Sequence, residues 1–363
     1  LKSLNCSFVK LIMDISQNQR YQAIKNAIIQ HRNHLLSGSA CYEIENMKIS
    51  VVGIGAMGSV YAGLFHESGH EVWGIDIWKE HVQAISQHGL KLEGASGNRV
   101  IHLKATTDPI EAGESDLVII ATKALHLVKA AEMSKSLIGP NTIILTIQNG
   151  IGNSEPIAQK LGSNQVLLGV AGGFGASIKA AGHVHHNGMN TIQIGEIRGS
   201  ITPRLEQVTK IWKEAGFNAK SCEDIQRMIW EKLICNVCYS GICTVTNLTI
   251  GQIMESSTLW PIAAGCSIEA WKVAQKKLID LSFSDPIPHV QAFGSKIPNA
   301  RPSMLLDHLS GRASEIEAIN GAIVREGKLV GVDTPHNMVI TALVVHLEQM
   351  AGFRKINKSH GLI

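Results

Sequence analysis

Three groups of residues in this chain have types and spacings that could do chemistry. The first is Gly53-x-Gly55-x-x-Gly58, closing the stretch Met47-Lys-Ile-Ser-Val-Val. Gly53 permits a tight turn, Gly55 lets a pyrophosphate approach the backbone, and Gly58 lets a helix lie close to a sheet. Phosphates would rest on free N–H groups of the turn Gly53, Ile54, Gly55, Ala56, Met57, Gly58, at the positive end of the following helix. The second is Trp230-Glu-Lys232-Leu-Ile-Cys-Asn236. Lys232 and Asn236 are four apart and share one helix face. A lysine beside a cleft can protonate a forming alkoxide; a lysine snorkelling from an amphipathic helix explains the same spacing equally well. The third runs from Ser303-Met-Leu-Leu-Asp307 to Arg312-Ala-Ser314-Glu315-Ile-Glu317. Ser314 and Glu317 have capping-box spacing. Glu315 has no such duty and could face a cleft, although ordinary helix polarity accounts for it too.

These residues need elements to hold them. Ile49, Val51 and Val52 make a buried strand before the glycine turn, and Val60, Tyr61, Leu64 and Phe65 recur at helical spacing after it. A second strand, His70 to Ile75, ends at Asp76, eighteen residues past Gly58. That context turns a weak glycine pattern into a dinucleotide-binding one. Strands over 116–121, 142–147 and 166–170 alternate with helices over 79–88, 125–137 and 155–161, which predicts a parallel sheet with right-handed crossovers. Ligands bind at the carboxyl ends of such strands, where Thr122-Lys123 and Asn149-Gly150 fall. Val100 to Leu103 reads as an edge strand, 183–196 as one or two strands, and 217–221 as the last. From Glu223 onward the pattern is helical: 225–245, 257–281, 302–311, 314–327 and 335–350. Residues 282–298, with Pro286, Pro288 and Pro298, read as a loop. The fold class is therefore α/β: a Rossmann domain over 47–222 followed by an all-α domain over 223–355. Residues 1–46 have no phosphate-binding chemistry. The expectation is that Met47 is the natural start and that 1–46 is an extension or a loosely attached helix; a targeting segment ranks last.

Composition narrows the field. With 363 residues and 45% hydrophobic content, two domains can each bury a core. A net charge of +3 without a basic run gives no reason to expect nucleic acid, and no apolar stretch reaches the length of a membrane span. Seven cysteines, an odd number with no secretory signal, fit reduced thiols in the cytoplasm. Cys235-x-x-Cys238 reads as a pair of buried helical cysteines. His183, His185 and His186 lack a carboxylate at metal-ligand spacing, so no metal is expected.

From Met47 to about Met350 the chain resembles the ketopantoate reductase (2-dehydropantoate 2-reductase) family. The glycine turn, Lys123-Ala124, Gln148-Asn149-Gly150, Trp230-x-Lys232-Leu-x-x-Asn236 and Ser303-Met-x-x-Asp307 with Ser314-Glu315-Ile-Glu317-x-Ile-Asn320-Gly321 carry the resemblance. It implies NAD(P)H-dependent reduction of the 2-oxo group of ketopantoate, in pantothenate and coenzyme A biosynthesis, at a cleft between the two domains. By resemblance Lys232 is the general acid. Glu315 orients it, accepts the substrate hydroxyl and borders the cofactor. Asn236, Ser240 and Ser303 hold the 2-oxo acid, with Ser303 on its carboxylate, and Asn149 and Lys123 contact the nicotinamide ribose or the substrate. Two positions depart from the family pattern: Ser240 stands where a second asparagine is usual, and Pro302 where a serine usually precedes Ser303. NADPH is the family norm, often with an arginine after the second strand. Here Asp76 would bind both ribose hydroxyls and repel a 2′-phosphate, favouring NADH, with Lys79 the one nearby group that could offset it. The expected partners are a small 2-oxo acid and, at most, a second copy of the chain. The rival expectations are a relative acting on another 2-oxo acid and a non-catalytic dinucleotide sensor.

Overall fold

The computed structural model describes residues 46–355 apart from 174, 189 and 190. The expectation for 1–46 falls outside the described residues save for Asn46. From Met47 onward the described residues form one compact unit. Its first part runs β1 (Lys48–Val52), α1 (Ala56–Glu67), β2 (Glu71–Ile75), α2 (Lys79–His88), β3 (Leu90–Gly94), β4 (Arg99–Ile101), β5 (Lys104–Thr106), α3 (Pro109–Ala112), β6 (Leu117–Ile120), α4 (Leu127–Met133), β7 (Ile143–Thr146) and α5 (Ser154–Leu161). It continues with β8 (Val166–Gly172), β9 (Gly175–Ala180), β10 (His183–Gly188), β11 (Thr191–Glu196), α6 (Pro203–Glu214) and β12 (Asn218–Ser221).

The main sheet has the order β12-β11-β8-β7-β6-β1-β2-β5. Its central strands are buried on both faces: β6 is apolar throughout, β7 is apolar up to Thr146, and in β1 Ile49, Val51 and Val52 flank a buried Ser50. Strands β5, β2, β1, β6, β7 and β8 are mutually parallel, but β11 runs antiparallel to β8. The wholly parallel sheet expected from the alternation is therefore corrected to a mixed one. The reason is the connection: between β8 and β11 the chain makes β9 and β10 and no crossover helix, so it can return in the opposite sense. Parallel pairing resumes from β11 to β12 across α6.

A second, four-stranded sheet of order β4-β3-β10-β9 was not foreseen as a sheet. It covers α1, which approaches closely because position 63 is glycine; a Cβ there would meet Ile101 Cδ1 at 2.9 Å. Tyr61 and Phe65 of α1 pack edge-on against Trp212 of α6, with ring centroids 5.0 and 4.9 Å away.

The second part is helical: α7 (Ile225–Thr246), α8 (Ile250–Glu255), α9 (Trp260–Lys276), α10 (Pro286–Lys296), α11 (Ser303–Leu309), α12 (Asn320–Val330) and α13 (Pro335–Met350). Helix α7 starts where Asp224 accepts the Arg227 N–H at 2.9 Å and ends at Asn247 in the left-handed region, φ 57°. It is apolar nearly all round because neighbours surround it (Ile234, Cys238 and Cys243 are each 0% exposed). The loop expected over 282–298 is corrected by α10. Asp285 caps its first turn, accepting from the Ile287 N–H at 2.9 Å, and Pro286 and Pro288 fall in that first turn, where a missing N–H costs nothing. The helix expected over 314–327 is also corrected. Residues 316–318 make one 3-10 turn, Ile319 leaves helical geometry at φ −106°, ψ −95°, and α12 begins after it. No capping box forms there: Glu317 pairs with Arg354 at 2.9 Å, and the Ser314 hydroxyl donates to Glu348 at 2.5 Å.

Candidate active site

The glycine turn has the geometry its spacing implies. Gly53 lies at φ +92°, with a hypothetical Cβ 2.6 Å from Thr122 Cγ2 and 2.7 Å from Thr122 N. A Cβ on Gly58 would sit 2.1 Å from the Gly53 carbonyl oxygen, whereas one on Gly55 would have nothing within 4 Å. So Gly53 and Gly58 are glycines because the chain is close, and Gly55 is the open side from which a ligand can approach. Ile54 turns its side chain into the core and offers the turn only its backbone. Ala56 and Met57 open α1, whose N-terminus has neither a side-chain cap nor an acidic residue in its first turn. Its N–H groups and dipole are left for an anion, and these features together fit the diphosphate of a dinucleotide. Asp76 directly follows β2, its Oδ1 accepting the Trp78 N–H at 3.0 Å, and Lys79 is exposed at the start of α2.

Lys232 points back from α7 to the carboxyl ends of the strands. Its Nζ donates to Asn149 Oδ1 at 2.8 Å and to the Ala171 carbonyl at 2.6 Å. Asn149 follows β7, and Ala171 lies near the end of β8. Burial of the ammonium lowers its pKa from the ordinary 10.5 to about 8, with the Glu315 charge opposing the fall.

Glu315 reaches the same place from the segment before α12. Its Oε1 accepts the Ala124 N–H at 3.0 Å and its Oε2 accepts the Asn149 amide at 3.1 Å. A lysine only donates and an ionised carboxylate only accepts, so Asn149 has one orientation that serves both. Glu315 and Lys232 share no ion pair among the described residues; the Asn149 amide bridges them. The bridge is closely backed. Gly150 lies at φ +88°, a Cβ there would be 2.0 Å from the Ala318 carbonyl, and the Ile151 N–H donates to that carbonyl at 3.2 Å.

Lys123 is ion-paired with Asp307 of α11, which also accepts from Arg312 at 3.2 Å. Asn236 is half-buried one turn beyond Lys232, and Ser240 is buried a turn further on. Among the described residues neither side chain has a hydrogen-bond partner. Ser303 stands at the exposed start of α11. The structure thus joins Lys232 to Glu315 through Asn149 and places Asn236 and Ser240 on the same helix as Lys232. Sequence reasoning did not find the Ala171 carbonyl or the Ala124 N–H, because backbone groups have no letter of their own. It quoted Asp307 without a role; an acid four residues after Ser303, facing a lysine that ends a strand, was the available signal.

Cys235 and Cys238 are buried and unpaired on α7. His183 pairs with Glu93 at 2.9 Å, and among the described residues no group of three His, Cys, Asp or Glu could hold a metal. Among them, too, no helix is long and apolar enough to cross a membrane.

A Rossmann domain with an open glycine cradle, joined to a helical domain that delivers a lysine ammonium to the same sheet edge, defines an NAD(P)-dependent oxidoreductase of the class acting on a CH–OH group or its 2-oxo acid. Two family models match, ketopantoate reductase PanE/ApbA over residues 49–199 and its C-terminal counterpart over 224–348, and the chain belongs to that family. The 2-dehydropantoate 2-reductase of Pyrococcus horikoshii is 32% identical over 312 residues, 85% of this chain and 100% of that protein. Among solved structures, a PanE/ApbA family ketopantoate reductase from Ralstonia eutropha JMP134 superposes with a TM-score of 0.78 at 28% identity, covering 84% of this chain and 100% of the other. A ternary structure of D-mandelate dehydrogenase with NADH and anilino(oxo)acetate superposes with a TM-score of 0.79 at 30% identity, covering 85% and 100%.

Proposed function

We propose that the chain is a 2-dehydropantoate 2-reductase, reducing the C2 carbonyl of ketopantoate to the hydroxyl of pantoate for pantothenate and coenzyme A synthesis in the cytoplasm. The observation that supports this best is the buried Lys232 ammonium, held by Asn149 and Ala171 at the sheet edge that carries the glycine turn. The glycine turn would hold the diphosphate, and Lys123 and Asn149 would border the ribose. When bound, the reduced nicotinamide supplies the hydride to C2. Lys232 donates a proton to the C2 oxygen as negative charge develops there, becomes a neutral amine, and regains its proton from water. Burial makes that donation easier than from an exposed lysine, because the charged form is already penalised. Asn236, Ser240 and Ser303 are the side chains we assign to the 2-oxo acid, with Ser303 on its carboxylate. Glu315 accepts the product hydroxyl and holds Asn149 in the orientation that receives Lys232.

A second reading concerns the substrate's side chain. Ser240 is smaller than the asparagine usual at that position and Pro302 lacks a hydroxyl, which leaves more room and fewer donors on the substrate side of α7 and α11. Both favour a bulkier, less hydroxylated 2-oxo acid, as does the likeness to a D-mandelate dehydrogenase. On the cofactor side, Asp76 favours NADH by accepting from both ribose hydroxyls and repelling a 2′-phosphate. The test is a panel of 2-oxo acids, including ketopantoate and phenylglyoxylate, each assayed with NADH and NADPH. Highest kcat/KM for ketopantoate supports the first reading and highest kcat/KM for phenylglyoxylate the second. No oxidation of either cofactor by any member would leave only a dinucleotide-binding protein.

A further inference from the structure

Glu348 is 0% exposed on helix α13. Its carboxylate accepts four hydrogen bonds: from the Ser314 N–H at 2.8 Å, the Ser314 hydroxyl at 2.5 Å, His308 Nε2 at 2.9 Å and Arg354 Nε at 2.6 Å. A buried carboxylate needs such partners, and alone that would make it a structural brace. The identity of the donors says more. Ser314 directly precedes Glu315, and His308 directly follows Asp307, the partner of Lys123. Backbone hydrogen bonds tie Ser310, Gly311 and Arg312 back to α11, and a 3-10 turn follows at 316–318; between them the Ser314 N–H is held by Glu348 and by no helical carbonyl. Glu348 supplies a fixing point for both segments the helical domain sends toward Lys123 and Lys232. Burial pushes its pKa up, but the bonds from Ser314, His308 and Arg354 outweigh this and leave it lowered, so it accepts as a carboxylate.

We infer that Glu348 is a positioning residue: by clamping Ser314 it sets Glu315 against Asn149, and through that amide it sets the Lys232 ammonium. The inference rests on the proposed roles of Lys232 and Glu315. Its sign can be read from protonation. The Glu315 carboxylate, on the far side of the Asn149 amide, raises the Lys232 pKa against burial. If Glu315 drifts away, Lys232 loses its proton at lower pH.

The experiment compares the full-length wild type, Glu348→Gln, Glu315→Gln and the double variant, with kcat and KM for the 2-oxo acid measured across the pH range. Glu348→Gln replaces one acceptor oxygen by a donor facing other donors. It is expected to lower kcat by about tenfold, with KM changed by less than about threefold, and to shift the alkaline limb to lower pH, as Glu315→Gln does. In the Glu315→Gln background the same substitution should cost less than about twofold further, because both act through one path. Equal factors in both backgrounds, or an unmoved alkaline limb, would reduce Glu348 to a brace and overturn the inference. If Glu348→Gln does not fold, Ser314→Ala removes one of the four bonds and should shift the limb in the same direction by less; no shift there also overturns it. Failure of the underlying reading is distinguishable: Glu315→Gln alone would then leave both rate and alkaline limb unchanged, and the inference would fall with it.

Discussion

Raising the pH through 8 should suppress reduction of the 2-oxo acid and promote oxidation of the hydroxy acid. Reduction needs Lys232 protonated, and burial brings its pKa down from 10.5 to about 8. At pH ~9 about one enzyme in ten, and at pH ~10 about one in a hundred, would keep the proton. The kcat/KM for the 2-oxo acid should therefore be flat below about pH 7 and fall about tenfold per unit above 8. Oxidation needs the neutral amine, so its kcat/KM should rise about tenfold per unit up to about pH 8 and then level off. The substrate carboxylate is ionised throughout and contributes nothing to either limb. Glu315→Gln removes the charge that opposes the depression, so both limbs should move to lower pH together. The assay follows cofactor absorbance in each direction at saturating dinucleotide. Reduction that stays level to pH ~10, or two directions that fall together above pH ~8, would refute the assignment of Lys232 as the titrating acid.

Other substitutions test other parts of the site. Asp76→Asn should raise the ratio of kcat/KM with NADPH to that with NADH by about tenfold, equivalent to ~1.4 kcal/mol; an unchanged ratio would remove Asp76 from cofactor choice. Gly58→Ala places a methyl 2.1 Å from the Gly53 carbonyl, so dinucleotide binding, followed by fluorescence titration, should be lost or weakened by at least about a hundredfold. Gly150→Ala must hold a side chain at φ +88° with its Cβ 2.0 Å from the Ala318 carbonyl. It should cost about 2–4 kcal/mol in urea unfolding and break the Asn149–Glu315 contact, lowering kcat while cofactor binding survives.

The dinucleotide half was legible because two signals coincide there. Ile49, Val51 and Val52 make an apolar run, and of the glycines that follow, Gly53 and Gly58 are at positions where a Cβ would strike Thr122 or Gly53 itself. Helix α7 was legible from its length and apolar periodicity. The small sheet was not. Strand β10 contains His183, His185, His186 and Asn187, β9 is short and rich in small residues, and β10 pairs with β3 some ninety positions earlier. Nothing local announces such a pairing. Helix α10 was hidden by its prolines, which mark a loop by composition but here occupy a first turn that needs no N–H. Ser314 and Glu317 have the spacing of a capping box, yet the Ser314 oxygen accepts from the Ile316 N–H at 3.4 Å while its O–H goes to the buried Glu348, and Glu317 turns to Arg354. At the site, Lys232, Asn149 and Glu315 could each be named from motifs. Their connection through one side-chain amide, and the Ala171 carbonyl that completes the lysine's shell, depend on tertiary geometry.

The most direct measurement is turnover of Lys232→Ala with its best 2-oxo acid, beside the Kd of the same variant for NADH and NADPH. General acid catalysis at Lys232 predicts kcat lower by about 10²–10⁴-fold with dinucleotide Kd within about threefold of wild type. Turnover within about threefold of wild type, with the cofactor still bound, would contradict it.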